Sequence, residues 1–336
     1  MIANELTRWY KLNKRELPFR MNKDPYSVWV SEIMAQQTRI ETMVPYYLRW
    51  MAKFPDIQTC ANADETEILK AWEGLGYYRR ARMLWNGAKM IVNEYHGIFP
   101  SDYATIREIP GIGDYTAAAI LSIAFNQPVP AVDGNVLRVV SRVLMSSSDI
   151  AKDSTKKHIT NVLNEWMVGA EPSDFTQGLM ELGALVCKVS APDCQQCPIR
   201  HHCLSFQHGV QKDFPVKSLH KKPKSESYVV HLVVDNDFLL ISKDWSDGLM
   251  EGYLRLPQVR ENDDRFVISE SLFSFKHVFS HKIWLLSVVK SRFTDGVELS
   301  DDYSWLPISE IDSVAWISAH RKILLKTLKK SDFSSL

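Results

Sequence analysis

The sequence predicts a multi-domain protein, with a mostly α unit over residues 1–205 followed by a separate α+β unit over 227–336. Three observations predict it. The 336 residues exceed one ordinary core. Apolar residues recur at helical spacing through the first part, with Pro and Gly as punctuation. After Cys203 the pattern shifts to short runs rich in Val, Ile, Leu and Phe, the mark of strands. Hydrophobic content of 45% and charged content of 24% fit a globular chain with a sizeable core.

Helical spacing marks 26–50, 65–72, 79–95, 115–124, 134–144, 155–168 and 175–187. Between them stand Pro55, Gly74, Gly76, Gly97, Pro100, Pro110, Gly111 and Gly113. Residues 206–226 carry Pro215, Pro223 and five lysines (Lys212, Lys217, Lys221, Lys222, Lys224) with few apolar side chains, and read as a linker. Strands are predicted at 228–234, 238–242, 273–279 and 283–289, and a closing helix at about 315–328. No repeat or low-complexity tract is visible.

Forty basic and forty acidic residues cancel. A zero sum neither supports nor excludes nucleic-acid binding, which follows local patches. Two such patches exist, Arg79-Arg80-Ala81-Arg82 and 217–224, and each could equally be a solvated surface. The opening from Asn4 to Lys11 lacks the features of a secretory leader, and no apolar run approaches the length of a bilayer span. The expectation is a reducing, cytoplasmic setting.

Five motifs carry chemistry. Cys187, Cys194, Cys197 and Cys203 crowd into 17 residues. In a reducing compartment four such thiols point to a metal centre rather than disulfides. Their spacing leaves zinc and iron–sulfur open and leans to the latter, since zinc more often joins two short knuckles across a longer loop. Cys60 stands apart as a buried thiol. Ile109-Pro110-Gly111-Ile112-Gly113 runs into a helix, so Gly111 and Gly113 sit where backbone amides can meet a phosphate, or simply form a turn. Asp133 precedes a helix as an N-cap, which would hold it ionised and suited to facing a developing cation. Glu32 has Val28 and Trp29 at i−4 and i−3 and Ala35 at i+3. A helical Glu is ordinarily solvated, but this apolar face would raise its pKa and keep it protonated, as a general acid requires. Two carboxyls in contrasting environments suit an acid and an electrostatic stabiliser. In Gly74-Leu75-Gly76-Tyr77-Tyr78-Arg79-Arg80 the glycines allow close approach, the aromatics can wedge into a base stack and the arginines can meet phosphates. Two core tyrosines beside a basic surface would look the same.

Together these segments resemble the MutY family of adenine DNA glycosylases, within the helix-hairpin-helix superfamily that includes endonuclease III. The resemblance spans nearly the whole chain. It rests on Ser31-Glu32-Ile33-Met34-Ala35-Gln36-Gln37-Thr38, Gly74-Leu75-Gly76-Tyr77-Tyr78, the 110–113 hairpin, Val132-Asp133-Gly134-Asn135-Val136 and the cysteine loop. It implies a helix-hairpin-helix glycosylase core (hairpin at about 105–125), a [4Fe–4S] cluster on the four cysteines of loop 187–203, and a Nudix-like domain over 227–336. The implied partner is double-stranded DNA holding adenine opposite 8-oxoguanine or guanine. The protein would act as a monomer at a bacterial nucleoid, with no membrane.

The resemblance also implies roles. Glu32 protonates adenine N7 and then helps activate water, and Asp133 stabilises the oxocarbenium-like sugar. Gln37 holds the extruded base, Arg20 assists near the pocket, and Gln177 is a further candidate. Gln36, Thr38, Asn135, Gly111 and Gly113 join the DNA contacts, and Tyr77 wedges into the duplex. Phe279-Ser280-His281 matches the loop that senses 8-oxoguanine, whose N7 is a donor where guanine has an acceptor. No Arg-Glu-x-x-Glu-Glu run accompanies it, so this domain should read rather than hydrolyse. Tyr115 occupies the place of the lysine of endonuclease III–like enzymes, and a phenol cannot form a Schiff base. Base removal without strand cutting is therefore expected, against two alternatives: a bifunctional glycosylase/lyase, and a non-catalytic iron–sulfur DNA-binding protein. Phe19 stands where the family usually has Trp, and Ala35 where it has Leu.

Overall fold

The computed structural model describes residues 1–218, 224–245, 250–260, 263–279, 282–294 and 299–328. Ser280 and His281 lie outside the described residues. Helices run in the order α1 (Ile2–Asn13), α2 (Pro25–Ala35), α3 (Ile40–Lys53), α4 (Ile57–Asn62), α5 (Glu65–Trp72), α6 (Arg79–Glu94), α7 (Tyr103–Glu108), α8 (Asp114–Ile123), α9 (Gly134–Val143), α10 (Asp153–Met167), α11 (Pro172–Leu185), α12 (Leu204–Gln207) and α13 (Ser318–Thr327). The strands are β1 (Lys224–Leu232), β2 (Val234–Asp235), β3 (Phe238–Ser242), β4 (Gln258–Val259), β5 (Phe266–Val278), β6 (Lys282–Phe293) and β7 (Tyr303–Pro307). Two compact units result. One holds Met1–Asn62 and Met83–Leu219; the other holds Ala63–Arg82 with His220–Leu336.

The first unit is helical. Its core gathers Leu6 of α1, Val136, Val139 and Val140 of α9, Ile159 and Leu163 of α10, and Phe175, Leu179 and Leu182 of α11, all at most 1% exposed. Each such side chain contributes about 1.5–3 kcal/mol on burial. Local chemistry sets the helix ends. Asp24 caps α2 by accepting from Ser27 N at 2.7 Å, with Pro25 at the first helical position. The run 26–50, spaced as one helix, is in fact two: α2 stops at Ala35, Gln37 takes φ +54°, and α3 begins at Ile40. Periodicity could not reveal this, because apolar spacing resumes in phase across a short break. The break faces Gln36-Gln37-Thr38 into a cavity described below. Helices α7 and α8 flank the hairpin, where Gly111 takes φ +87° and Ile112 N closes the turn on Ile109 O at 3.0 Å. The Arg107–Asp114 ion pair, 2.6 Å, bridges the two helices.

The second unit carries two sheets, with strand orders β4-β1-β6-β5 and β2-β3-β7. β1 and β6 are parallel; the other pairs are antiparallel. Trp284 and Trp316 are fully buried. β5 and β6 are longer than the runs 273–279 and 283–289, because polar residues such as Glu270 continue the exposed side of the ladder. β7 carried too mixed a pattern to be predicted. The stretch 206–226 includes part of α12, a 3-10 turn at Gln211–Asp213 and the first residues of β1.

Candidate active site

In the first unit Glu32 from α2, Tyr115 from α8 and Asp133 at the start of α9 line one cavity of about 740 Å³. That is within the range of about 300–1,000 Å³ common for small ligands. Arg20, Gln36, Gln37, Thr38 and Asn135 line it too, as do Phe19 and Ala35.

The Tyr115 hydroxyl donates to Glu32 Oε2 at 2.5 Å. Burial pushes the Glu32 carboxyl up to about 7. The Tyr115 hydrogen bond opposes that rise, the Asp133 charge adds to it, and Arg20 opposes it. The acid form is therefore well populated near neutral pH, which suits a proton donor. The Tyr115 phenol is pushed well above its ordinary 10, first by burial and then by Glu32 and Asp133, and stays protonated.

Asp133 does cap α9. Its Oδ1 accepts from Val136 N at 2.7 Å, and its Oδ2 from Asn135 Nδ2 at 2.8 Å. The cap does not govern its titration by itself: burial outweighs these bonds, and its carboxyl moves above the ordinary 3.8. Both acids thus move upward, and the bonds from Val136 and Asn135, with the Arg138 charge, restrain the rise at Asp133.

Glu181 escaped the sequence reading. It is fully buried on α11, takes Arg15 Nε on Oε1 at 2.6 Å and Arg20 Nη2 on Oε2 at 2.8 Å, and is held down to about 2. Its signal was a lone acid among Leu179, Met180 and Leu182. This pair fixes Arg20 at the cavity wall. Arg20 Nη1 is buried without a hydrogen-bond partner. Gln177 does not line the cavity; it is buried and donates to Ser173 Oγ at 3.2 Å.

Asn135 is itself held. Its Oδ1 accepts from Arg138 Nη2 at 2.8 Å, and Arg138 Nε donates to Cys187 O at 2.8 Å. A Cβ on Gly183 would lie 2.5 Å from Asn135 Cβ, so only glycine lets α11 approach so near. The four cysteines line a second cavity with Arg142. Arg142 is buried, its Nη1 lies 3.3 Å from Cys187 Sγ, and it donates to the backbone oxygens of Cys187, Lys188, Val189 and Phe214. Burial raises the thiols of Cys194, Cys197 and Cys203, that of Cys197 to about 12. Among the described residues, no three His, Cys, Asp or Glu side chains are placed to hold a single metal ion.

In the second unit Tyr77 is 40% exposed with φ +49°, between Gly76 at φ +79° and the buried Tyr78. Arg80 stacks over the Tyr77 ring at 5.2 Å and over Trp72 at 5.3 Å. Phe279 N–H donates to Lys282 O at 2.8 Å, and its ring packs on that of Trp284 at 4.7 Å.

A glycine hairpin between two helices, with a cavity lined by two buried acids in the same unit, defines the class of helix-hairpin-helix base excision repair proteins. Residues 30–165 match the family model of the HhH-GPD superfamily base excision DNA repair protein. The chain is 31% identical to the adenine DNA glycosylase of Buchnera aphidicola subsp. Acyrthosiphon pisum, covering 84% of each. It is 33% identical to that of Arabidopsis thaliana over 95% of this chain, and 43% identical to that of Mus musculus over 61%. The chain spans 63% of the plant relative's length and 41% of the mouse relative's. A solved thermostable thymine-DNA glycosylase aligns at TM-score 0.55 with 25% identity, over 62% of this chain and 95% of that one. A trapped endonuclease III–DNA covalent intermediate shares the fold at TM-score 0.53 and 23% identity, over 62% of this chain and 95% of that one. The chain belongs to the adenine DNA glycosylase family. No helix among the described residues is long and apolar enough to cross a membrane.

Proposed function

We propose that the chain hydrolyses the N-glycosidic bond of adenine placed opposite 8-oxoguanine or guanine in double-stranded DNA, as a monomer in the cytoplasm. The observation that carries the reading is Glu32, with its carboxyl near 7, facing the same cavity as Asp133. The extruded adenine enters that cavity. Its unstacking costs a few kcal/mol, offset by contacts in the pocket. Glu32 gives its proton to N7, Tyr115 steadies the carboxylate left behind, and Asp133 faces the cationic sugar as the bond breaks. Glu32 then takes a proton from the attacking water. Arg20, Gln36, Gln37, Thr38 and Asn135 orient the nucleotide, the hairpin amides at Gly111 and Gly113 meet a phosphate, and Tyr77 wedges into the duplex. Among the described residues no lysine lines the cavity, and Tyr115 stands there with a phenol, which supports base removal without a lyase step.

The four cysteines suit a [4Fe–4S] cluster. They line one cavity together, and a buried guanidinium stands beside Cys187, where it can offset the charge of a thiolate-bound cluster. When bound, the cluster would brace the loop for docking on DNA. The sheet unit, read as Nudix-like, senses 8-oxoguanine through Phe279 and its neighbours Ser280 and His281.

The test is a duplex with one adenine opposite 8-oxoguanine. Adenine release that yields a strand break only after hot alkali is expected. A break without alkali would favour a lyase, and tight binding with no release would favour a non-catalytic binder.

A further inference from the structure

The loop that carries Tyr77 is pinned at both ends to one short stretch of the C-terminal sequence. At its start, Glu73 Oε1 accepts from Trp316 N at 3.0 Å, while Oε2 accepts from Lys70 Nζ at 2.6 Å. Lys70 Nζ also donates to Val314 O at 2.7 Å, and Arg321 Nε stands 4.0 Å from Glu73 Oε1. At its end, the Tyr78 hydroxyl is hydrogen-bonded to that of Ser318, and the Tyr78 ring lies 4.2 Å from that of Tyr253. The Tyr253 hydroxyl in turn donates to Leu69 O at 3.2 Å.

Between the two pins the backbone is committed to an uncommon shape. Gly74, Gly76 and Tyr77 all have positive φ. For Tyr77, a bulky L-residue, that conformation persists only where its surroundings over-determine it. Trp72 Nε1 and Arg80 Nη2 both donate to Gly76 O, at 3.1 and 3.0 Å, and lock the turn from within. Glu73 and Tyr78 lock it from outside.

We propose that Glu73 is a positioning residue through which the segment Val314–Ser318 holds Tyr77 in its wedging conformation, so that reading the lesion and prising the duplex are actions of one body. This rests on the wedge role given to Tyr77 above. The sheet unit is then the mount of the wedge as well as a sensor.

The experiment uses the full chain and a duplex with adenine opposite 8-oxoguanine, with 2-aminopurine beside the lesion as reporter of unstacking. Saturating wild-type protein should brighten the reporter. Glu73→Ala should lower the wedged-to-unwedged ratio about ten-fold, as expected for loss of a charge-assisted hydrogen bond. Ser318→Ala, a small change more than 200 positions away in sequence, should lower it in the same direction. Glu73→Gln, which keeps an oxygen for Trp316 N–H, should recover most of the signal. In a Tyr77→Ala background Glu73→Ala should add nothing. The pH midpoint of single-turnover base release, set by Glu32, should not move. Unchanged brightening in both Glu73→Ala and Ser318→Ala would overturn the proposal, as would a full Glu73→Ala effect without Tyr77. A wild-type protein that brightens the reporter yet releases no adenine refutes the glycosylase reading and leaves the positioning role standing.

Discussion

Replacing Glu32 with Gln should abolish base release and, at the same time, make the folded protein more stable in mild alkali. Burial lifts this carboxyl from an ordinary 4.5 to about 7. At about 1.4 kcal/mol per pH unit, holding the ionised form in the cavity costs the fold roughly 3 kcal/mol. The sign is fixed by the direction of the shift. Because the folded pKa is raised, stability from this group is fully present below 4.5 and is lost as pH climbs through 7. Gln resembles the neutral acid, still accepts from the Tyr115 hydroxyl, and has no charge to desolvate. The variant and the wild type should therefore match near pH 4.5 and diverge to about 3 kcal/mol by pH 8. Urea unfolding at both pH values, followed by tryptophan fluorescence, measures the gap. Equal stabilities at pH 8 would refute the claim that Glu32 is held against its charge, and with it the argument for a proton donor at neutral pH.

Other outcomes follow from the same geometry. Tyr115→Phe removes a hydrogen bond that lowers the Glu32 pKa, so the alkaline limb of the single-turnover pH profile should shift upward; a downward shift would contradict the bond's direction. Gly183→Ala should cost about 1–3 kcal/mol in thermal unfolding, since the new methyl meets Asn135 Cβ at 2.5 Å, and should slow base release by displacing the partner of Asp133. Cys197→Ser should bleach any visible absorption of the purified protein and lower its melting temperature, whereas a colourless zinc-containing wild type would contradict the cluster.

The sequence was most informative where local chemistry and function coincide. Glu32 stood out because Val28 and Trp29 share its face, and Asp133 because a cap followed by a helix is a local signature. Both line the cavity. What stayed hidden depends on long-range contact. Glu181 meets Arg15 and Arg20 across more than 160 positions. The split between α2 and α3 is a matter of one left-handed residue, Gln37, which spacing cannot register. The grouping of 63–82 with the C-terminal sheets rests on bonds from Lys70, Glu73 and Tyr78 to residues beyond 310, and no pattern within either stretch encodes them. The direction of the shift at Asp133 also resisted inference, because burial opposes its hydrogen bonds and prevails only in the folded structure.

The double duty of Asp133 bears on how damaged versions of this protein would be recognised. Asparagine serves as an N-cap about as well as aspartate. Asp133→Asn should keep the bond from Val136 N and with it the cap of α9, at the loss of the bond from Asn135 Nδ2, while removing the charge proposed to face the sugar. A screen that scores variants by abundance, solubility or heat resistance would pass it as healthy. Only a readout of chemistry would expose it, so tolerance of a substitution at this position is no guide to whether the proposed chemistry survives.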